Sequence, residues 1–238
     1  MLLLRSTLFN LAFFAITPLF SLLIMLTRPL GLRVVWRWAR LWSACVRGLL
    51  RVCCRIHIRV EGLEHLPTEP CVVMGKHQSA LETVMMPLLV PMYAWVLKRE
   101  LLYIPLFGWA LWCIGVIAIR RGSPREAMRQ VLEQGRAFLR KGRWVVIFPE
   151  GTRTAVGESG QYQPGGVVLA QHARVGILPF AHNAGRCWPK KGYLKYPGTV
   201  TIRFLPYLSP DDVAAEKRGA VLKRLQQQIE KETRSLGG

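Results

Sequence analysis

No aspartate or glutamate precedes Glu61, although the 238-residue chain carries 14 acidic residues against 33 lysines and arginines. Eight arginines lie between Arg28 and Arg59, so the first quarter of the chain is cationic without internal compensation. That argues against an ordinary solvated helix, which would place acids beside its bases. The net charge of +19 implies an acidic partner: nucleic acid, an anionic membrane surface or acidic substrates. Other absences narrow the chemistry. None of the six cysteines forms a C-x-x-C pair and most sit in apolar runs, which argues against a zinc site and for reduced, buried thiols in a cytosolic setting. There is no P-loop to bind phosphate and no G-x-S-x-G elbow to supply a serine nucleophile. No repeat and no long linker divides the chain, and with 51% hydrophobic residues it is rich enough to bury a core.

Thr7 to Leu26 is an apolar run broken by Asn10 and Pro18. As a helix of about 30 Å it can span a bilayer. No A-x-A-like site follows it, which weakens a cleaved signal peptide. Pro18 leaves open a broken helix that enters and leaves one leaflet. Arginines accumulate after the run, so the positive-inside rule puts everything beyond Leu26 on the cytoplasmic side of the cell (inner) membrane. Next, Arg33, Arg37, Arg40, Arg47, Arg51 and Arg55 fall within about 40° of one helical direction, with tryptophans and leucines on the other faces. Such a stripe suits an anionic phospholipid membrane, where each basic residue adds about 1 kcal/mol. The adjacent apolar run argues against nucleic acid.

From Arg55 the pattern shortens and alternates. Arg55–Glu61 has period two, and further strands are expected near 71–74, 92–97, 114–119, 144–148, 175–180 and 199–205. Ser123-Pro124-Arg125-Glu126 opens a helix as a capping box, and Ser209-Pro210-Asp211-Asp212 opens a polar C-terminal helix. The expected fold is α/β: a mixed sheet flanked by helices, preceded by an N-terminal membrane-associated helical segment. Residues 1–54 read as anchor and basic interfacial helix, and 55–238 as the globular domain.

Two blocks hold the candidate chemistry. In Lys76-His77-Gln78-Ser79-Ala80-Leu81-Glu82, a strand runs into His77 and a helix starts near Ser79. Residues five apart on one helix point about 140° away from each other, so His77 meets Glu82 only from outside the helix. Glu82 then has two possible duties. It can close a capping box with Ser79, or fix the tautomer of a histidine that deprotonates a hydroxyl. Both stay open. Phe148-Pro149-Glu150-Gly151-Thr152-Arg153 follows an apolar strand, where a turn with Gly151 lets backbone approach a ligand and Arg153 can grip a phosphate. The bland alternative is a solvated turn. Gly115–Gly122 puts Arg120 and Arg121 at another strand end, and His182 follows the apolar run Ile177–Phe180.

With these residues in place, Val60 to Tyr207 resembles the membrane glycerolipid acyltransferases, a family that includes the lysophosphatidic acid acyltransferases. Four blocks occur in family order: His77 with Glu82 for H-x4-D, Gly115–Arg121 for a strand ending in arginine, Phe148–Arg153 for F-P-E-G-T-R, and Ile177–Phe180 for a strand with proline. The resemblance implies transfer of a fatty acyl group from acyl-CoA or acyl-carrier protein to the sn-2 hydroxyl of lysophosphatidic acid, without cofactor or metal. It implies His77 as base with Glu82 beside it, and Lys98, Arg121, Glu150, Gly151, Thr152 and Arg153 as substrate-binding residues. Glu82 stands where the family usually has aspartate, one methylene longer. Gln163 and Pro164 stand where a basic residue often follows the tyrosine matched by Tyr162. Glycerol 3-phosphate or a lyso-ornithine lipid therefore remains an alternative acceptor. Two readings from other classes stay beside these, a non-catalytic membrane-surface protein and a lipid thioesterase.

Overall fold

A computed structural model describes residues 1–120 and 122–238; Arg121 lies outside the described residues. The chain opens with two long helices, α1 (Leu2–Leu26) and α2 (Leu32–Cys54). The α/β part follows as β1 (Ile56–Glu61), β2 (Val72–Gly75), α3 (Leu81–Leu89), β3 (Tyr93–Lys98), α4 (Phe107–Ile114), β4 (Ile117–Ile119), α5 (Pro124–Arg140) and β5 (Trp144–Ile147). It closes with α6 (Gly165–Ala173), β6 (Ile177–His182), the short α7 (Ala184–Cys187), β7 (Gly198–Phe204), α8 (Pro210–Ala215) and α9 (Arg218–Ser235).

Among the described residues the strands form one seven-stranded sheet in the order β1-β7-β6-β2-β5-β3-β4. Pairing is parallel throughout except between β6 and β7, so the sheet is mixed as expected. The central strands β2, β5 and β6 are buried along their whole length, which is why they read as unbroken apolar runs. Alternate residues still serve opposite faces. Val73, Trp144 and Val146 face a core built with α1, α2, α3 and α4, while Val72, Val145 and Ile147 face one built with α5, α6 and α9. The carboxyl ends of β2, β3, β5 and β6 all open on the same edge, which brings both sequence blocks together.

Several expectations change. The turn between the first helices is not at Pro18, through which α1 runs on, but at Arg28–Leu30, where Gly31 reverses the chain at φ +102°. α1 lies against the domain near both its ends. Ser6 accepts a hydrogen bond from the Lys195 N–H at 2.9 Å, and Asn10 donates to the Tyr193 carbonyl at 3.2 Å. Ile24 near its other end packs into the core shared with α4. Residues 1–54 therefore share the globular core, and the boundary at residue 54 divides the chain but not the packing. α1 is still long and apolar enough to cross a membrane, and Leu4, Leu8, Leu11, Leu19, Leu22 and Leu26 form its exposed face. Five of the six stripe arginines lie exposed on α2, but Arg55 ends that helix in the left-handed conformation at φ 56°. The C-terminal helix is two helices. Ser209 and Asp212 form a reciprocal capping box on α8, and the chain breaks at Glu216-Lys217 before α9. At α5 the box is half formed, since Ser Oγ accepts from the Glu126 N–H while the Glu126 carboxylate takes Gln130 instead. All six cysteines are free, and burial pushes Cys54 up to about 11.

Candidate active site

β2 ends at Gly75, where a Cβ would stand 2.2 Å from the Phe180 ring, so only glycine lets β6 pack this closely at the strand's end. The chain then leaves the sheet through Lys76–Ala80 and enters α3 at Leu81. Glu82, fully buried in the first turn, turns its carboxylate back to this loop. Its Oε1 accepts from His77 Nδ1 at 2.8 Å, the Ser79 N–H at 2.9 Å and the Gln78 N–H at 3.1 Å. One oxygen thus meets both the imidazole and the amides that precede the helix. Ser79 Oγ accepts from the Leu81 N–H instead of the Glu82 N–H, so the reciprocal box itself does not form. Burial alone pushes the Glu82 carboxyl up, but His182, His77 and the Ser79 amide outweigh it and hold it below its usual range.

The hydrogen bond to Glu82 assigns the His77 proton to Nδ1 and leaves Nε2 with a free lone pair. The ring is clamped from one side by Phe148, stacked at 4.2 Å between centroids and 15° between planes. Its main chain is held twice, by the third block and by the residue that follows it. The His77 N–H donates to Glu150 Oε2 at 2.9 Å, and its carbonyl accepts from the Thr154 N–H at 2.8 Å. The turn that makes this possible needs Gly151, at φ +66°. His182, at the end of β6, completes the surroundings. Its Nε2–H donates to the Lys76 carbonyl at 2.8 Å and lies 4.0 Å from the second Glu82 oxygen, and burial keeps it below its ordinary value.

His77 faces a cavity of about 340 Å³, within the range of small-molecule sites. Gly151, Arg153 and Lys98 line it on the polar side. Arg153 has no carboxylate partner among the described residues, whereas Lys98 makes a surface pair with Glu100 at 3.3 Å. The remaining wall is mostly apolar and comes from four helices and β3, with Phe13 and Phe20 of α1, Trp42 of α2, Val84 of α3, Leu111 of α4 and Trp95 of β3 among its residues. Thr17 keeps the Trp42 indole in place by accepting its N–H at 3.2 Å.

Two of the expected substrate-binding residues do not line the cavity. Glu150 does not line the cavity; its side chain is fully buried on Lys76, the Gly160 N–H and the His77 N–H, so its place is behind the histidine. Thr152 is exposed and outside the cavity wall. Arg121 falls outside the described residues. Lys76, Thr154 and Glu230 carry no role in the sequence reading, and Tyr162 enters it only through the family resemblance. A lysine directly after a buried strand was a usable signal for the first, since a buried ammonium needs a carboxylate. Nothing in the local pattern marked the others.

A family model described as acyltransferase matches residues 57–183, more than half of the chain. The chain belongs to the acyltransferase family. It is similar to the 1-acyl-sn-glycerol-3-phosphate acyltransferase of Pseudomonas aeruginosa, with 48% identity over 171 residues covering 71% of this acyltransferase and 64% of that protein. It is 34% identical to the 1-acyl-sn-glycerol-3-phosphate acyltransferase alpha of Mus musculus over 67% of its own length and 59% of the relative's. The matched part is thus less than two thirds of either curated relative. In three dimensions this acyltransferase resembles the crystal structure of the 1-acyl-sn-glycerophosphate (LPA) acyltransferase PlsC from Thermotoga maritima, with a TM-score of 0.80 at 20% identity over 99% of both chains. At that identity the match establishes the fold alone.

Proposed function

We propose that this protein transfers a fatty acyl group from an acyl thioester, acyl-CoA or acyl-carrier protein, to the sn-2 hydroxyl of lysophosphatidic acid, forming phosphatidic acid. The observation that carries the reading is the free Nε2 of His77, backed by Glu82 at 2.8 Å and facing a cavity that is basic at one side and apolar at the other. An acyl-lipid phosphate needs both sides. The names of the relatives support the same acceptor.

The chemistry follows from the geometry. Nε2 takes the proton of the acceptor hydroxyl while its oxygen attacks the thioester carbonyl. The ionised Glu82 fixes the tautomer and stabilises the imidazolium. On collapse the carbon–sulfur bond breaks, and the imidazolium returns its proton to the leaving thiolate. Atoms and charge balance without a cofactor or metal. Arg153, Lys98 and Arg121 hold the acceptor phosphate. Glu150 acts from behind by fixing the His77 main chain. The apolar wall takes an acyl chain.

Membrane attachment comes from the exposed apolar face of α1 and the arginines of α2, with the site on the cytoplasmic face of the inner membrane by the positive-inside argument. The test is turnover of purified full-length protein with labelled acyl-CoA and acyl-carrier protein against lysophosphatidic acid, glycerol 3-phosphate and a lyso-ornithine lipid. Lysophosphatidic acid should be the preferred acceptor, and His77→Ala should abolish transfer while leaving the fold intact. Release of free fatty acid without acceptor would favour a thioesterase, and lipid binding without turnover a membrane-surface protein.

A further inference from the structure

Lys76 is fully buried, immediately before His77. Its ammonium has three protons and three acceptors: Glu150 Oε1 at 2.8 Å, Glu230 Oε1 at 2.9 Å and the Glu158 carbonyl at 2.7 Å. Glu230 comes from α9, which lies outside all four sequence blocks. It also accepts from the Tyr162 hydroxyl at 3.1 Å, and Glu150 accepts from the Gly160 N–H at 3.0 Å. A Cβ at position 160 would crowd Glu150 Oε1 at 3.2 Å, so the loop is fitted closely to the carboxylate. The connection runs without a gap from α9 through Glu230, Lys76 and Glu150 to the His77 N–H.

We infer that Glu230 is a positioning residue for the reaction: through Lys76 it fixes the Glu150 carboxylate, and so the main chain that carries His77. The inference rests on the reading of His77 as the base. Stability alone does not account for the cluster. A buried ion pair is often replaceable by apolar side chains of similar volume at no loss, and a second carboxylate on the same ammonium adds desolvation cost. What apolar packing cannot provide is a hydrogen bond delivered to the His77 amide from a fixed direction. The arrangement has an electrostatic side as well. One ammonium between two carboxylates leaves excess negative charge behind His77, which favours the imidazolium that forms during proton transfer. Among the described residues, the other charged or titratable groups around this histidine and its cavity are Glu82 on α3, His182 on β6, Arg153 in the third block and Lys98 at the end of β3. Glu230 itself is not in the cavity wall.

The experiment uses full-length protein in mixed micelles, with acyl-CoA and labelled lysophosphatidic acid. Glu230→Gln keeps the shape and removes the charge. The expected result is a kcat lowered by about 10- to 100-fold, the scale of a misplacement of about 1 Å, with KM for both substrates within about twofold. The acidic limb of the pH–rate profile should move to lower pH, which a purely structural role would not cause. Arg234→Gln, exposed on the same helix, should leave kcat and profile unchanged. If Glu230→Gln does not fold, Tyr162→Phe removes one hydrogen bond from the same carboxylate and should lower kcat in the same direction by less. A kcat per folded molecule within about twofold of wild type, with an unmoved profile, overturns the inference in either variant. His77→Ala is assayed in parallel. If it retains turnover, the base reading fails first; if it is inactive while the Glu230 and Tyr162 variants behave as wild type, only the role of Glu230 fails.

Discussion

The two sides of His77 are built on opposite rules. Behind it, Lys76, Glu150, Glu230 and Tyr162 are buried and hydrogen-bonded, with each ammonium proton assigned to one acceptor. In front, the wall is mostly apolar, made from four helices and β3, which contribute rings and aliphatic chains but few polar atoms. Hydrogen bonds fix direction within a few tenths of an ångström, whereas apolar contacts fix only volume. On the proposed reading the contrast separates two tasks: the rear holds the base still, and the front takes the acyl chain.

That contrast can be broken from the rear first. Glu82→Gln removes the carboxylate that fixes the histidine tautomer and should lower kcat by roughly 10³- to 10⁴-fold, the scale seen when an orienting carboxylate is lost. A variant within tenfold of wild type would show that helix capping is the larger of its two duties. Lys76→Met leaves two buried carboxylates without their cation and should cost about 3–5 kcal/mol of stability, read from denaturant unfolding. The front should respond in selectivity instead. Ala110→Phe fills cavity space on α4 and should lower kcat/KM for long acyl donors about tenfold more than for short ones, with melting temperature little changed. Equal losses for all chain lengths would mean that the acyl chain lies elsewhere.

The smallest effect expected is on acid stability. Burial holds His182 below its ordinary 6.5, so the unfolded chain takes up that proton first as pH falls. The stability is present at neutral pH and is lost progressively below about pH 6.5. Glu82, also held below its ordinary 4.5, adds a second loss in more acid solution. His182→Asn should flatten the first part of this dependence in thermal melts between about pH 7 and 5.5, and an unchanged slope would exclude His182 as its source.

Much of the fold was legible because strands write their burial into the sequence. Apolar runs at 144–147 and 177–180 are strands buried on both faces, and the alternation at 56–61 is an edge strand with one face free. His77 and Glu82 were legible because their contact is local, set by a strand-to-helix junction. Glu230 was not, since 154 positions separate it from Lys76 and α9 reads as an ordinary polar helix. α4 was missed because Phe107–Ile114 has no polar face to mark a helical period. Pro18 misled for a related reason: a proline removes one backbone donor, but a helix packed along its length against a domain continues past it.

The shared wall of the cavity has a practical consequence for anyone preparing this protein. Phe13, Thr17, Phe20 and Ile24 belong both to the segment that reads as an anchor and to the enclosure in front of His77. Cutting the chain before α2 to obtain a detergent-free form would strip that enclosure along one side and let water reach it. The truncated protein would then be a poor stand-in for the full chain even with His77, Glu82 and Glu230 in place, and solubility would be gained at the expense of one wall of the cavity.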